Sequence, residues 1–484
     1  MTEKEIYTKE ADMWVDQKKH AVKLVSCIGE LMYNKGVELV LFRNPLIETG
    51  VSEMLNLHNY ASKIVQKPID IESTAEIAEI LTKMDLAPSK LDIGRLDWEW
   101  KAEKTKYENK EEFLLDKLSG FLGQQQSSNI QPQDVVLYGF GRIGRLCARE
   151  LINMAGKGQQ LRLRAIVVRR ISAEELKKRA DLFRMDSVHG PFKGVVEVDT
   201  DTNEMIINGQ IIQIIAANDP SEIDYESRGI QNALVIDNTG VYRDFEALSK
   251  HKQAKGVSRV LLTAPGKGIP NVVYGVNHKD FDNDKIDIWS AASCTTNAIV
   301  PVLKIIDQEF GINSGHIETV HAYTNDQNLL DNMHSKHRRG RSAAVNMVIT
   351  ETGAAKAAVK VLPQLEGKLT ANAVRVPTPN GSLAIMNLNL NTKTDLVEVN
   401  NLLKNAALHG DLVNQIRYSV EPEMVSNDII GNTCCSVFDS PATIVSKDGR
   451  SVVLYVWYDN EFGYTKQVLR MAKYVSKVQR LIYY

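Results

Sequence analysis

The sequence predicts an α/β protein: a doubly wound parallel sheet, then an α+β domain with a mainly antiparallel sheet, behind a helical N-terminal extension. Three observations carry that reading. Short β-prone runs at 135–138, 163–168, 211–215, 233–236 and 260–262 alternate with helical patterns, as parallel strands covered by helices do. Beyond residue 294 the strand-like runs lengthen and alternate in polarity, as at 382–391 and 451–458, which suits an antiparallel sheet. Before residue 130 the apolar residues Trp14, Val22, Val25, Ile28 and Met32 recur at helical spacing.

Taken in order, the extension contains a capping-box pattern, Ser73-Thr74-Ala75-Glu76, ahead of Ile77, Ile80, Leu81 and Met84. Pro45, Pro68 and Pro88 divide it into short helices. It holds no catalytic constellation and reads as a packing or oligomer-contact module. The polar stretch GQQQSSNIQPQ then looks like a linker. The expected division is an extension over 1–125, a linker over 126–133, a dinucleotide-binding domain over 134–293 and a catalytic domain over 294–460. A C-terminal helix within 461–484 is expected to return to the dinucleotide-binding domain.

Bulk properties narrow the class. A chain of 484 residues suggests two or more domains. A net charge of −2 gives no reason to expect nucleic acid or an anionic membrane as a main partner. No apolar run approaches the ~20 residues that span a bilayer. The polar, acidic start MTEKEIYTKEADMW resembles neither a secretory signal nor a basic transit peptide. A cytoplasmic setting is expected, with Cys27, Cys147, Cys294, Cys434 and Cys435 as reduced thiols. They lack paired C-x-x-C spacing, so no metal site is expected.

Gly139-Phe140-Gly141-Arg142-Ile143-Gly144 fits G-x-G-x-x-G between a strand and a helix-like stretch, the context that motif requires. Glycines there permit a tight turn and close approach of backbone to a pyrophosphate, with the helix N-terminus facing the phosphates. A Rossmann-type domain binding NAD or NADP follows; a ligand-free glycine turn is the bland alternative. The second strand of such a domain should end in an acid for the adenosine ribose. Here the run at 163–168 ends in Arg169-Arg170. These arginines either pair with a 2′-phosphate, or sit solvated while NAD binds with weaker ribose contacts.

Ala292-Ser293-Cys294-Thr295-Thr296-Asn297 precedes the helix-like stretch 298–310. A cysteine at a helix start meets the positive dipole end, which favours thiolate. Nearby hydroxyls and N–H groups could hold an oxyanion. His321 follows 27 residues later in a strand-like run. A Cys–His pair supplies both nucleophile and base, although a lone strand histidine is more often structural and a lone cysteine more often inert core.

Several motifs occur in one order: 139–145, Asp186-Ser187-Val188-His189-Gly190, 292–297, 321–324, Thr352-Gly353-Ala354-Ala355-Lys356, Arg375-Val376-Pro377-Thr378-Pro379 and Trp457-Tyr458-Asp459-Asn460-Glu461. From about 133 to 478 the chain thereby resembles phosphorylating glyceraldehyde-3-phosphate dehydrogenase, and the first ~130 residues lie outside the resemblance. The resemblance implies Cys294 as nucleophile and His321 as its activator and acid/base. It implies Thr324, Arg339 and Arg375 for the substrate phosphate, with Asp326 at a variable position nearby. Ser293, Thr295, Thr352 and Gly353 match the pocket for attacking inorganic phosphate. Gly139, Gly141, Arg142, Ile143 and Gly144 match the pyrophosphate loop, Thr263 a cofactor-approaching hydroxyl, and Asn460 the group orienting the nicotinamide carboxamide. The segment 323–350 resembles a loop that packs against a neighbouring subunit's cofactor, so a homotetramer is implied.

The implied activity is oxidation of glyceraldehyde 3-phosphate to 1,3-bisphosphoglycerate with NAD or NADP, through a thiohemiacetal and a thioester. Erythrose-4-phosphate dehydrogenase, in which water resolves the thioester, is the enzymatic rival. A non-enzymatic binding protein on the same scaffold is a rival of another class. The chain departs from the family at Tyr138 and Ala292, both usually asparagine, at Ala298, often cysteine, and at Ile349, usually proline.

Overall fold

The computed structural model describes every residue except 1–2, 66–68, 124–129 and 157. The predicted linker therefore lies outside the described residues over 126–129. The chain forms two compact units.

The first unit comprises residues 1–132, 155–160 and 478–484. Its helices Glu3–Glu30, Val51–Val65 and Ile71–Lys83 pack through Ala21, Leu24, Ile28, Leu31, Met54, Ile77 and Leu81, all buried. Each large apolar side chain so covered contributes about 2 kcal/mol. The capping box reads three residues late. The helix starts at Ile71, and Asp70 caps it by accepting the Ser73 N–H at 2.7 Å. A carboxylate outcompetes a hydroxyl for the orphan donors, and the Ser73 hydroxyl instead accepts from Lys110 at 2.9 Å.

This unit is not purely helical. Asn44–Pro45, Glu38–Leu41, Ser89–Asp92 and Leu481–Tyr483 lie side by side in a four-stranded sheet. Its last strand comes from the C-terminus and pairs in parallel with Ser89–Asp92. Tyr483 fixes it there: the hydroxyl donates to Glu99, the ring packs edge-on to Phe121, and the Arg95 guanidinium lies 5.1 Å above it.

The second unit comprises residues 133–154 and 161–477. One of its eight-stranded sheets runs Ile288–Ser290, Val257–Leu262, Ala233–Asp237, Gln133–Tyr138, Leu161–Val168, Gln210–Ala216, Glu204–Ile207, Val196–Asp199. The first six are parallel and the last two add antiparallel at one edge. This is the Rossmann-type doubly wound sheet. Its central strands are buried on both faces, so Ala233–Asp237 reads ALVID without alternation.

The other main sheet orders Val348–Thr350, Leu369–Val376, Ile312–Ala322, Ser382–Leu390, Ser451–Tyr458, Ser436–Asp439 and Ile416–Ser419. Most pairs are antiparallel, but Ile312–Ala322 pairs in parallel with Leu369–Val376 and sets His321 opposite Arg375. The helix Phe462–Val475 packs against the helix Arg142–Asn153 that follows the glycine turn. No described helix is long and apolar enough to cross a membrane.

Candidate active site

Cys294 opens the helix Cys294–Phe310, and Ser293 caps that helix by accepting the Thr296 N–H at 3.1 Å. The preceding residue, Ala292, has φ +55°. Asparagine tolerates that left-handed region better than alanine, which gives the family's usual residue there a conformational reason. His321 stands near the end of Ile312–Ala322, and its Nε2 lies 3.7 Å from the Cys294 sulfur.

Electrostatics modify the expected acidified thiol. Burial pushes the Cys294 thiol above its ordinary value, opposed by the charge of Arg375 and by donors at Thr295. Cys147 and Cys435, wholly enclosed, are pushed further, to about 12. Burial and the adjacent Arg375 hold His321 down at about 3, so its imidazole is neutral at pH 7.

Arg375 Nη1 lies 2.8 Å from both His321 Nδ1 and the Ala322 carbonyl, while Nδ1 is also 2.7 Å from that carbonyl. Nδ1 can donate to Ala322 and leave a bare Nε2 lone pair toward sulfur. Alternatively it accepts from Arg375, putting the proton on Nε2 to donate to a thiolate. Behind this pair Asp326 accepts from Thr324 and pairs with Arg339, whose Nε donates to Thr350 at 3.0 Å.

A cleft of about 650 Å³ opens over the sulfur. Ser293, Cys294, His321 and Thr324 line it together with Arg142, Ile143, Thr263 and Asn460. Arg339, Thr352, Gly353 and Arg375 are not among its lining. Thr352 accepts the Ala354 N–H at 3.2 Å where the helix Ala354–Val361 begins, and Gly353 caps that helix. Thr295 is buried, its hydroxyl 3.0 Å from that of Tyr458.

The cofactor end fits a dinucleotide. Gly139 turns with φ +98°, and a Cβ on Gly144 would lie 2.4 Å from the Gly139 carbonyl oxygen. Helix and strand therefore approach as only glycine allows. A Cβ on Gly141 would meet nothing within 4 Å, and no side chain caps the helix Arg142–Asn153, which leaves the N–H groups of its first turn without an intrahelical partner. Thr263 is held through its hydroxyl on the Asp237 carbonyl at 3.0 Å, and the Asn460 amide oxygen accepts from Ser382 at 2.9 Å. Arg169 and Arg170 follow the Leu161–Val168 strand, both exposed, and Arg170 already pairs with Glu175 at 3.0 Å.

Sequence reasoning missed a cluster beneath the turn. Arg142 binds Asp186 at 3.1 and 3.2 Å and also Glu461, whose other neighbour is His189 at 3.1 Å. These acids lie inside two of the motifs already quoted, but nothing local tells that they converge. Among the described residues no group of His, Cys, Asp and Glu could hold a metal ion, and all five cysteines are free.

Fold and cleft together define the class: an NAD(P)-dependent oxidoreductase. Family models for the glyceraldehyde 3-phosphate dehydrogenase NAD binding domain and C-terminal domain match residues 133–245 and 293–460. The chain belongs to the glyceraldehyde-3-phosphate dehydrogenase family. A glyceraldehyde-3-phosphate dehydrogenase of Zymomonas mobilis is 39% identical over 71% of this chain and 98% of its own length. One from Bacillus subtilis is 40% identical over similar shares, 71% and 98%. A glyceraldehyde-3-phosphate dehydrogenase-like protein of Pseudomonas aeruginosa is 48% identical over 94% of this chain and 98% of its own length. That match is too long to leave out the N-terminal unit.

Proposed function

We propose that the chain is a cytoplasmic, homotetrameric phosphorylating dehydrogenase that converts glyceraldehyde 3-phosphate to 1,3-bisphosphoglycerate with NAD or NADP. The observation that carries this is the 3.7 Å approach of Cys294 sulfur and His321 Nε2 in a cleft that also borders the dinucleotide turn. Cys294 attacks the aldehyde carbon while His321 takes the thiol proton and passes it to the carbonyl oxygen, giving a thiohemiacetal on sulfur. A nicotinamide held in the cleft beside Thr263 and Asn460 would supply the hydride acceptor for this thiohemiacetal. His321 then removes the hydroxyl proton as the thioester forms, and inorganic phosphate attacks the thioester to release the acyl phosphate.

Arg375 gives the substrate a part in its own activation. Its charge helps to hold His321 at about 3, so a phosphate dianion beside it offsets that charge and strengthens the base. Thr324 and Arg339 belong to the same network around Asp326. Exposed Leu329, Leu330, Met333, Val345 and Met347 on the following loop suit burial against another subunit.

A second reading, oxidation of erythrose 4-phosphate with water resolving the thioester, is favoured by one observation. The Ser293 and Thr295 hydroxyls, expected at the attacking phosphate, are already bonded to Thr296 and Tyr458. Steady-state rates on both aldehydes, with and without phosphate, separate the two. A rate on glyceraldehyde 3-phosphate that does not depend on phosphate rejects the phosphorylating reading. The same assay run with NAD and NADP decides the role of Arg169 and Arg170: a far lower kcat/KM with NADP removes them from 2′-phosphate binding.

A further inference from the structure

Two arginines line the cleft beside the dinucleotide turn, and they differ in what they have left to give. Arg142 is spent. Asp186 and Glu461 neutralise it from two sides, and those carboxylates occupy Nε, Nη1 and Nη2. Glu461 stays ionised despite burial because His189 and Arg142 both bond to it. A cation so engaged braces the turn but has little charge to offer a phosphate.

Arg243 is the opposite case. It lies in the loop after Ala233–Asp237 and lines the same cleft, next to Thr263, Ala264 and Pro265. No carboxylate pairs with it among the described residues; its Nε donates to the Gly240 carbonyl at 2.6 Å. That bond uses the inner nitrogen and leaves Nη1 and Nη2 without a recorded partner. The main chain beneath is fixed: the Arg243 carbonyl accepts the Lys267 N–H at 2.8 Å. The next residue, Asp244, caps the helix Phe245–Gln253 through the Ala247 N–H, also at 2.8 Å. Gly240 takes φ +65° to turn this loop, and a Cβ there would lie 3.3 Å from Arg243 Nη2. The result is a pre-oriented guanidinium with two terminal nitrogens, the geometry that pairs bidentately with phosphate oxygens.

We propose that Arg243 is the side-chain cation that pairs with the pyrophosphate of the bound dinucleotide, while Arg142 serves the turn as an internal brace. The inference rests on the cleft taking NAD(P). Free N–H groups at the start of the helix Arg142–Asn153 bind the same pyrophosphate through the main chain; Arg243 adds full charge from the opposite loop.

Calorimetric titration of the full chain with NAD, ADP-ribose and adenosine tests this. Arg243→Gln should weaken NAD and ADP-ribose about tenfold, the loss of one charge-assisted contact of about 1.4 kcal/mol. Adenosine, which carries no phosphate, should lose much less. Arg243→Lys should recover part of the loss, and in turnover the effect should fall on the cofactor KM far more than on kcat. An unchanged NAD affinity in Arg243→Gln overturns the proposal. So does an equal loss for NAD and adenosine, which would move the residue to the adenosine half of the cleft. Wild-type protein that bound neither NAD nor NADP would instead defeat the cofactor assignment beneath it, which the first titration reveals.

Discussion

Each unit of this chain buries a histidine whose pKa is depressed, and the two are put to different use. In the N-terminal unit His58 places Nδ1 2.8 Å from the Met54 carbonyl and Nε2 2.8 Å from the Thr74 hydroxyl. Both ring nitrogens are spent on neighbours that cannot react. In the dehydrogenase unit His321 settles only Nδ1 on the protein and turns Nε2 toward a sulfur at 3.7 Å across an open cleft. Burial lowers both. The difference is whether one nitrogen is left for chemistry, and only the geometry around each ring decides that.

Substitutions should separate the two roles, and the largest effect falls on the sulfur. Cys294→Ser should cut kcat by at least about 10³-fold with the thermal transition nearly unchanged, since removing a covalent nucleophile costs that much or more. His321→Asn should cost about 10²–10⁴-fold, as removal of a general base does. By contrast His58→Leu should leave kcat alone and lower stability by about 1–3 kcal/mol, because Thr74 and the Met54 carbonyl lose a buried partner. If His58→Leu abolishes turnover in folded protein, the division between the units fails.

Arg375→Gln sharpens the same contrast from the electrostatic side. Without the charge that helps hold His321 near 3, the imidazole should titrate closer to its ordinary ~6.5. The base works only when neutral, so the acid limb of the kcat profile should move to higher pH while the KM for the phosphorylated aldehyde rises. An acid limb that stays in place would show that burial alone sets the histidine.

A smaller effect concerns stability. His321 and His278 are held at about 3 and about 4 by burial, below the ~6.5 of an unfolded histidine. Between those values the unfolded chain binds the extra protons, so stability is full above about pH 6.5 and falls on acidification. The slope should reach ~1.4 kcal/mol per pH unit for each such histidine. Denaturant midpoints at pH 7 and pH 5 in wild type and His321→Asn measure it; equal pH dependence in the two would remove His321 as a source. The smallest effect is at Ala292, whose left-handed φ of +55° costs about 1 kcal/mol relative to residues suited to it. Ala292→Gly should raise the melting temperature slightly and leave the KM values unchanged.

Legibility followed sequence distance. The glycine turn, the cysteine at its helix start and the strand histidine are local patterns, and each was readable with its context. Their partners were not. Arg375 reaches His321 only because two strands pair in parallel across 54 positions, and Glu461 reaches Arg142 across 319. Residue types at those positions permit the contacts without announcing them. The helix start and the Cys–His pair together point to an acidified thiol, whereas burial works in the opposite direction. In the N-terminal unit the helices were legible from their periodicity. Strands of four residues such as Glu38–Leu41 and Ser89–Asp92 were not, because they are too short to show a period. Asp70, rather than Ser73, took the cap because the pattern at 73–76 matched a motif whose stronger competitor stood just upstream.

The C-terminal strand Leu481–Tyr483 closes a sheet begun at residue 38. During synthesis the strands at 38–41, 44–45 and 89–92 are made first, and their fourth neighbour follows only after the whole second unit. Until Leu481–Tyr483 is made, that sheet can hold at most three strands, with the Ser89–Asp92 edge open to any other extended segment. A stop codon ahead of Leu481 would thus leave the second unit fully encoded and the sheet of the first with an unsealed edge.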